Sequence, residues 1–423
     1  MPENIKEAVF ENLKRYNFWE NQGIYFGFER QDYLLQLTPL LGTPLIKVLV
    51  GQRRSGKSHI MRQLIGRLIG QGIPPKNIFY FNKEFIEFDS IKTHLDLFEL
   101  IQLYEKKLSP KGKRYLFIDE VQLIQDWEKL VNSLSQNYQT HYDVWITGSN
   151  ATLLSGELAT LISGRYISCK IFPFSFAEYC NFLKIAPQKQ SYIDYLKTGG
   201  LPELFHLHSP ETQFHYVVAL LDSIILKDIV TRHQIKDAHL LEILFKFLCD
   251  NIGNLFSIKS IVDYLISQKI KTNFETISNY LHHLKETFII HEVDRYDIKG
   301  KSILAGSKKF YLNDLAFRNF LSSKFDPGLS KALENAIYLH YARQGYKCYV
   351  GKIGQEEIDL IIEKGDDKKY IQIAHSITSE IVANREFGNL EKVHDAYDKI
   401  VISLDDYPLG NKNGIKHFQA WTL

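Results

Sequence analysis

The sequence predicts an α/β protein with a parallel β-sheet core, a helical extension, a winged-helix domain and a second α/β domain near the C-terminus. Three observations predict this fold class. Apolar runs of strand length alternate with helical patterns between residues 41 and 173. A glycine-rich octet lies between the first such run and the first helical pattern. After Pro173 the spacing becomes helical, and strand-like runs return after residue 288.

The core strands are predicted from apolar runs that do not alternate with polar residues. Such runs are typical of strands buried on both faces, as in a parallel sheet covered by helices. The runs are Leu45–Val50, Ile78–Asn82, Tyr115–Asp119 and Asp143–Thr147, with Ile167–Phe172 as a fifth candidate. Helical patterns near 58–70, 90–107, 125–138 and 151–162 lie between them, as the crossovers of a parallel sheet require.

Changes in pattern place the domain boundaries. An amphipathic helical segment, with Phe10, Leu13, Tyr16 and Phe18 on one side, precedes the core. Three short helical patterns followed by a candidate β-hairpin (289–296 with 308–312) predict the winged helix. The predicted domains are the N-terminal segment 1–40, the core 41–173, the helical extension 174–237, the winged-helix-like domain 238–320 and the C-terminal domain 325–423.

Composition is ordinary for a soluble globular protein, with 45% hydrophobic and 24% charged residues. A net charge of +2 neither requires nor excludes nucleic acid as a partner. The four cysteines are scattered, which favours reduced thiols over a disulfide framework or a cysteine zinc site. The polar N-terminus and the lack of an 18-residue apolar stretch predict no membrane span and a cytoplasmic location.

The octet Gly51–Ser58 matches the phosphate-binding pattern G-x-x-x-x-G-K-[ST], and it lies between a strand and a helix, as a working P-loop needs. Its glycines let backbone N–H groups point at phosphate oxygens, Lys57 can reach the β- and γ-phosphates, and Ser58 can bind Mg²⁺. The alternative is an ordinary glycine-rich turn. The candidate nucleotide-binding residues are Gly51, Gln52, Arg53, Arg54, Ser55, Gly56, Lys57, Ser58 and His59.

Two acids end the strand-like segment Tyr115–Glu120, about sixty residues after the P-loop. Asp119 is a candidate Mg²⁺ ligand together with Ser58, because oxygen atoms at a strand end beside the P-loop suit this ion. Glu120 is the candidate general base that activates the attacking water. The alternative is a buried strand that happens to end in surface acids.

Two further positions are candidates for catalysis. Asn150, with Ser149 beside it and Thr147 as the third choice, follows the next strand and can sense a γ-phosphate, or it can cap the following helix. Arg165 can act as an arginine finger, in the same chain or in a neighbouring subunit. Its alternative is a surface ion pair.

In their order along the chain, these segments resemble the large group of prokaryotic AAA-superfamily ATP-binding proteins related to archaeal-type ATPases. The matching segments are Gly51–Ser58, Phe117–Gln122, Thr147–Asn150, Gly164–Tyr166, Pro173–Tyr179 and Gly199–Glu203. The resemblance implies an AAA-like core, a preference for ATP with Mg²⁺, a winged helix, and a C-terminal domain resembling the PD-(D/E)xK nucleases.

Such a nuclease needs an acid on its first helix, an acid on a strand, and an acid-x-lysine on the next strand. Glu334 and Asp359 fit the first two positions. The third reads Gln372-Ile-Ala374, with alanine in place of the lysine, and strand alternation aims His375 away from that place. We therefore expect a nuclease-like fold without nuclease activity, and no cation at the expected position.

The sequence predicts a Mg²⁺-dependent ATP hydrolase that acts as a conformational switch or motor. ATP-regulated DNA binding and an interaction scaffold with little hydrolysis remain alternatives. Lysines in or near the winged helix make DNA a candidate partner, with 299–301 as a wing tip. ATP and ADP are the expected ligands, and a second copy or another protein is a further candidate partner. The basic residues considered are Lys259, Lys271, Lys285, Arg295, Lys299, Lys301, Lys308 and Lys309.

Overall fold

The fold is described from a computed structural model that covers residues 2–20, 26–136, 142–151, 162, 164–322 and 328–423. The chain divides into two compact units, Met1–Ile171 and Phe172–Leu423. The division lies close to the boundary predicted near residue 173. Among the described residues, no helix combines the length and the apolar character needed to cross a lipid bilayer.

The first unit is built on a five-stranded sheet in which every neighbouring pair of strands is parallel. Its strands are β1 (Ile46–Val50), β2 (Ile78–Asn82), β3 (Arg114–Asp119), β4 (Tyr142–Gly148) and β5 (Tyr166–Lys170). The order across the sheet is β2-β3-β4-β1-β5. The predicted α/β fold with a parallel core is therefore confirmed.

Helices connect these strands, as the apolar runs without alternation predict. The connecting helices are α3 (Lys57–Gly70), α4 (His94–Leu108) and α5 (Trp127–Ser135), and two further helices, α1 (Glu3–Tyr16) and α2 (Gln31–Leu37), precede β1. The helix α4 begins with a capping box, because Thr93 accepts a hydrogen bond from the Asp96 N–H and Asp96 accepts one from the Thr93 N–H. The helix predicted at 151–162 falls mainly outside the described residues.

The N-terminal segment covers the exposed edge of β2. The Asn17 amide donates to the Tyr80 carbonyl at 2.8 Å and accepts from the Tyr80 N–H at 2.7 Å. The Trp19 indole N–H donates to the Ile78 carbonyl at 2.7 Å. An uncovered edge strand would offer its backbone N–H and C=O groups to another chain. Side chains of the N-terminal segment pair with these groups in place of a sixth strand.

The second unit contains helices both before and between its strands. Their bounds are α6 (Phe176–Leu183), α7 (Lys189–Thr198), α8 (Pro210–Ser223), α9 (Thr231–His233), α10 (Ala238–Asp250), α11 (Ile258–Ser267), α12 (Phe274–Glu286), α13 (Leu315–Leu321), α14 (Ser330–Arg343) and α15 (Glu380–Glu391). A π-helical segment, Ile224–Val230, joins α8 to α9. Ser257 caps α11 as predicted, since its hydroxyl accepts the Ser260 N–H at 3.0 Å.

A single nine-stranded sheet runs through the second unit, in the order β13-β14-β12-β11-β10-β9-β7-β8-β6. Its strands are β6 (Leu255–Phe256), β7 (Ile290–Asp297), β8 (Ser302–Leu312), β9 (Lys347–Ile353), β10 (Glu356–Lys364), β11 (Asp367–Ala374), β12 (Asp398–Ser403), β13 (Asn411–Lys412) and β14 (Ile415–Gln419). The predicted hairpin is present as β7 and β8, and β7 pairs in parallel with β9. The segments predicted as a winged helix and as a C-terminal domain thus share one sheet.

Candidate active site

The P-loop connects β1 to α3, and its conformation depends on glycine. Gly51 has a φ of +155°, and a Cβ atom there would lie 2.1 Å from the Ile171 carbonyl oxygen. Gly56, which precedes α3, has a φ of +94°. Between them, Arg54 also has a positive φ of 65°. Residues other than glycine rarely adopt such backbone angles, so Gly51 and Gly56 suit the turn, whereas Arg54 is an exception to this rule.

Lys57 is buried at the start of α3, with its side chain turned back over the loop. Its Nζ donates to the carbonyl oxygens of Gly51 and Gln52, at 3.0 and 3.1 Å. The same Nζ lies 3.8 Å from Glu120 Oε1. The ammonium group is therefore held by the loop itself, close to the place where phosphate oxygens are expected.

Asp119 is fully buried at the carboxyl end of β3. Its Oδ2 accepts hydrogen bonds from Tyr80 Oη and Asn82 Nδ2, each at 3.1 Å, and its Oδ1 accepts the Thr147 hydroxyl. A hydrogen bond from Ser58 also reaches this carboxylate. Burial, with the charge of Glu120 second, raises the pKa of Asp119 above its ordinary value. A divalent cation would relieve that cost, because it favours the ionised form.

Glu120 has a left-handed backbone conformation, with a φ of 54°, that directs it out of the strand. Its N–H donates to the Thr147 hydroxyl oxygen at 2.9 Å, and its Oε2 accepts Gln122 Nε2 at 2.5 Å. Thr147 therefore links the two acids, since its hydroxyl also donates to Asp119. Thr147, the third choice among the candidates at the end of β4, therefore contacts both acids directly.

These residues fit a magnesium-bound nucleotide. The carboxylate of Asp119 and the hydroxyl of Ser58 are in contact, and oxygen ligands of this kind are those that Mg²⁺ prefers. In the described part of the chain, the buried Ser55 hydroxyl inside the loop has no hydrogen-bond partner. Lys57 can exchange its two carbonyl contacts for phosphate oxygens without leaving a carboxylate unpaired. The site thus has the donors that phosphates need.

The other predicted loop residues lie in different environments. Arg53 pairs with Glu84, with Nη1 2.7 Å from Oε1, whereas the Arg54 side chain is exposed. Gln52 is fully buried, and the exposed His59 ring lies against Gly27, where a Cβ would come within 2.8 Å of His59 Cδ2.

Arg30 is a site residue that the sequence did not reveal. Its Nη1 donates to the Ser55 carbonyl at 2.8 Å, and its guanidinium lies 4.6 Å from the centre of the Tyr33 ring. Gln63 on α3 accepts the Arg30 N–H at 3.2 Å and donates to the Phe28 carbonyl at 2.6 Å. The segment before the core is therefore bonded to the P-loop and its helix. Single arginines carry no sequence signal of such a contact.

Asn150 and Ser149 are buried just beyond the carboxyl end of β4, and the P-loop follows the carboxyl end of the neighbouring strand β1. The Gln122 amide lies 3.4 Å from Ser149 Oγ. A sensing role for Asn150 stays a prediction.

Arg165 lies at the opposite end of the sheet, where strands β1 and β5 begin. It precedes β5, whose first residue, Tyr166, is opposite Ile46 at the start of β1, whereas the P-loop follows the end of β1. The five extended residues of β1 separate its two ends by about 16 Å, which is longer than an arginine side chain. This separation favours the alternative in which Arg165 acts in a neighbouring copy, and both alternatives stay predictions.

The second unit contains a buried lysine among the acids predicted for a nuclease-like site. Lys309 on β8 is 1% exposed, and its Nζ lies 2.7 Å from both Glu334 Oε1 and Glu357 Oε1 and 3.9 Å from Asp359 Oδ1. We call these four residues the Lys309 cluster. The expectation that no cation occupies this place is wrong, because the hairpin β7–β8 brings a lysine from another part of the sequence.

Hydrogen bonds fix the acids of the Lys309 cluster. Glu334 also accepts Tyr311 Oη at 2.7 Å and Lys331 Nζ at 3.0 Å. Burial opposes ionisation of Glu334, but the charges of Lys309 and Lys331 hold its pKa below the ordinary value. Burial and the charge of Glu334 instead raise the pKa of Asp359 to about 7. The lysine and the helix acid are therefore charged partners.

Gln372 occupies the position of the missing acid and bonds to its neighbours. Its Oε1 accepts the Asp359 N–H at 2.8 Å, and its Nε2 donates to Glu386 Oε2 at 2.7 Å. The amide thus has a structural role between a strand and α15, which a carboxylate could not fill in the same way because it lacks a donor.

Three of the lysines considered for DNA contact are paired with acids. Lys309 is buried, and Lys285 and Lys308 both bind Glu292, at 3.0 and 2.5 Å. Lys299 and Lys301 are exposed at the turn between β7 and β8, and their role as a wing tip stays a prediction. The number of basic side chains available to phosphates is thus smaller than the sequence suggests.

Comparison with known proteins identifies the class of the first unit. Residues 43–180 match the family described as an AAA domain. This range contains the P-loop and both strand-end acids, so the chain carries an AAA-type P-loop core. Residues 189–328 match a domain of unknown function, DUF8612.

Relatives cover nearly the whole chain. An uncharacterized protein of Haemophilus influenzae is 38% identical over 391 residues, which are 92% of this chain and 96% of that protein. An uncharacterized protein of Methanocaldococcus jannaschii is 29% identical over 383 residues, or 87% of this chain and 80% of the relative. The crystal structure of Cdc6p from Pyrobaculum aerophilum aligns with a TM-score of 0.32 at 11% identity, over 72% of this chain and 93% of that one. The chain belongs to the family of the Haemophilus influenzae protein.

Proposed function

We propose that this protein hydrolyses ATP in a Mg²⁺-dependent reaction at the P-loop and uses the reaction as a conformational switch or motor. The observation that carries the proposal is the contact network at the end of β3. Thr147 joins Asp119 to Glu120, and Glu120 lies 3.8 Å from Lys57. A P-loop, a metal-binding acid and a base are thus adjacent, as phosphoryl transfer to water requires.

Each residue has a separate part in the proposed reaction. Backbone N–H groups of Gly51–Ser58 bind the phosphates, and Lys57 leaves its carbonyl partners to bind the transferred phosphoryl group. Ser58 and Asp119 would hold Mg²⁺, which when bound offsets phosphate charge. Glu120 accepts a proton from the attacking water, while Gln122 and the Thr147 hydroxyl orient its carboxylate and backbone.

The substitution Glu120→Gln tests this assignment, because it removes the base and preserves the shape of the side chain. We expect ATP binding to persist and the turnover rate to fall by about 10²–10³-fold. Binding is measured with a fluorescent ATP analogue and turnover by phosphate release. Glu11→Gln, on the exposed face of α1, is the matched control. Unchanged turnover in Glu120→Gln would place the base elsewhere.

Arg165 completes the proposal only if copies of the chain assemble. Its side chain is exposed at the edge of the sheet away from the P-loop of its own chain. We propose that it reaches the nucleotide of a neighbouring copy. Turnover should then rise with protein concentration as the oligomer forms, and Arg165→Ala should abolish that rise without changing the oligomeric mass. A rate per chain that is independent of concentration would exclude this role.

The Lys309 cluster leads us to propose that the second unit does not cleave nucleic acid. Its lysine is bound directly to two of the acids, which leaves few carboxylate lone pairs for a divalent cation. Linear DNA and RNA should remain intact with Mg²⁺ or Mn²⁺. Metal-dependent cleavage that disappears in Asp359→Ala would contradict the proposal.

A second candidate function is ATP-regulated DNA binding, which the exposed pair Lys299 and Lys301 favours. Binding that uses two phosphate contacts should weaken with salt with a slope of about −2 in a logarithmic plot. Lys299→Ala combined with Lys301→Ala should remove most of that slope. An unchanged slope would show that these lysines do not contact DNA.

A further inference from the structure

Three histidines surround one carboxylate in the second unit, away from the Lys309 cluster in sequence. His233 Nε2 and His283 Nδ1 each lie 3.3 Å from Glu286 Oε2. His282 Nε2 lies 3.6 Å from the other oxygen, Glu286 Oε1. No sequence motif predicts this group, because His233 is fifty residues before His283.

The backbone explains how the group forms. His283 and Glu286 are three residues apart on α12, so their side chains are neighbours on one face. His233 is the last residue of α9, which continues the π-helical segment Ile224–Val230. Segments of π-helix are rare and occur often at functional sites. Gln234 then ends the helix with a φ of 51°.

The separations match those between the ligands of a tetrahedral metal ion. Nitrogen and oxygen ligands lie about 2.0–2.1 Å from Zn²⁺, which places them about 3.3–3.4 Å from one another in a tetrahedron. Both imidazole–carboxylate separations are 3.3 Å. In the absence of an ion, the His283 Nδ1–Glu286 Oε2 pair also has the geometry of a hydrogen bond, longer than the about 2.7–2.9 Å typical of a charge-assisted one. One ligand atom from each of His233, His283 and Glu286 lies within 4.8 Å of the other two.

The two imidazole rings of the group lie face to face. His233 and His283 stack with ring centres 3.8 Å apart and an angle of 23° between their planes. Because a bound ion lies in the plane of each imidazole that binds it, one of the two rings must turn about its Cβ–Cγ bond before both nitrogens can bind one ion. The three side chains are 24%, 17% and 14% exposed, so an ion or a water molecule can reach the group from solvent.

We propose that His233, His283 and Glu286 bind one Zn²⁺ ion, with the fourth position taken by water or by the neighbouring His282. Two imidazoles and a carboxylate are ligands of zinc and related transition metals, whereas Mg²⁺ and Ca²⁺ prefer oxygen ligands alone. The ion would join the end of α9 to α12.

The test uses the full chain after dialysis against a chelator. Titration with Zn²⁺ should show one more bound equivalent in the natural protein than in His283→Gln, and excess Mg²⁺ should not compete. Co²⁺ should give the visible absorption of a four-coordinate ion in the natural protein. Saturating Zn²⁺ should raise the unfolding midpoint of the natural protein and leave that of the variant unchanged, because the ion binds the folded state.

Two further variants keep the test interpretable. Glu286→Gln removes a different ligand and should lose the same equivalent, so the conclusion does not depend on one substitution. His215→Gln is the control, since His215 also lies near an acid, 3.9 Å from Glu211, but is mostly exposed, and among the described residues no second histidine pairs with that acid. If the natural protein, His283→Gln and Glu286→Gln bind equal amounts of Zn²⁺, or if His215→Gln loses the equivalent, the proposal is wrong.

Discussion

The P-loop site and the Lys309 cluster both place a buried lysine beside carboxylates, yet the two lysines are held differently. Lys57 donates to two backbone carbonyls and lies 3.8 Å from its nearest acid, Glu120. Lys309 forms two ion pairs of 2.7 Å, with Glu334 and Glu357. The first lysine can turn to a ligand, whereas the second would break two ion pairs if it moved, one of them with the buried Glu334.

This difference shows that a lysine near acids is not by itself a catalytic arrangement. A buried charge that is already paired costs several kcal/mol to separate from its partners. Lys57 avoids this cost because its partners are neutral carbonyl groups, which phosphate oxygens can replace. We therefore expect substitutions at Lys309 to change mainly stability and substitutions at Lys57 to change mainly turnover.

The largest expected effect on stability is that of Lys309→Met. The substitution keeps the length of the side chain but leaves Glu334 and Glu357 without their shared cation, which should lower the free energy of unfolding by about 3–5 kcal/mol. Urea denaturation measures the loss. Lys331→Met is the matched control, because Lys331 binds the same Glu334 from an exposed position, and it should cost about 1 kcal/mol or less. Equal losses would show that the burial of Lys309 has no special role.

Lys57→Ala should have the largest effect on turnover. Without the ammonium group, the transferred phosphoryl group loses a direct charge partner, and ATP turnover should fall by at least about 10²-fold. The loss in stability should be smaller than that of Lys309→Met. Phosphate release measures turnover, and Lys92→Ala, at an exposed position before α4, is the control. Survival of both ATP binding and turnover would show that the octet is not a P-loop.

Asp359→Asn should change the pH dependence of stability. The folded-state pKa of about 7 lies above the ordinary value of 3.8, so the stability linked to this group is present below about pH 4 and is lost as the pH rises to about 7. Asparagine removes that loss and keeps an acceptor for the Ile373 N–H. The variant should therefore be more stable than the natural protein at pH 8, by on the order of 2 kcal/mol, and similar at pH 4. Parallel urea curves at the two pH values decide the point, and a variant that is less stable at pH 8 would contradict the assigned pKa.

The smallest expected effect is that of Thr147→Val, which keeps the shape of the side chain and removes the hydroxyl between Asp119 and Glu120. Turnover should fall by about tenfold, because Glu120 loses an orienting hydrogen bond. Thr147→Ser should restore it. Phosphate release and ATP affinity are measured together, and a fall in affinity alone would assign Thr147 to binding.

Much of the first unit could be predicted because its signals are local. The buried runs mark strands β1 to β4, and the octet has glycines at two positions with unusual backbone angles. Asp119 was predicted because it is an acid at the end of the apolar run that forms β3. Arg30 could not be predicted, because its contact with Ser55 depends on a segment that folds back onto the P-loop.

The second unit shows a different limit. Glu334, Asp359 and Gln372 could be placed from the pattern of a helix and two strands, and the missing lysine at Ala374 was visible in the sequence. Lys309 was visible only as one of several basic residues near a candidate wing. Its pairing follows from the hairpin joining the sheet beside β9, a contact between distant parts of the chain.

By itself, the sequence determined the parallel core, the phosphate-binding loop and the acids at the end of β3, because short-range spacing and strand ends specify them. Only the tertiary structure decided that Thr147 joins these acids and that Lys309 binds Glu334 and Glu357. It also decided that Arg165 lies at the end of the sheet opposite to the P-loop. These outcomes depend on strand order and register, which bring together residues that are far apart in the chain and carry no mark of their partners in the sequence.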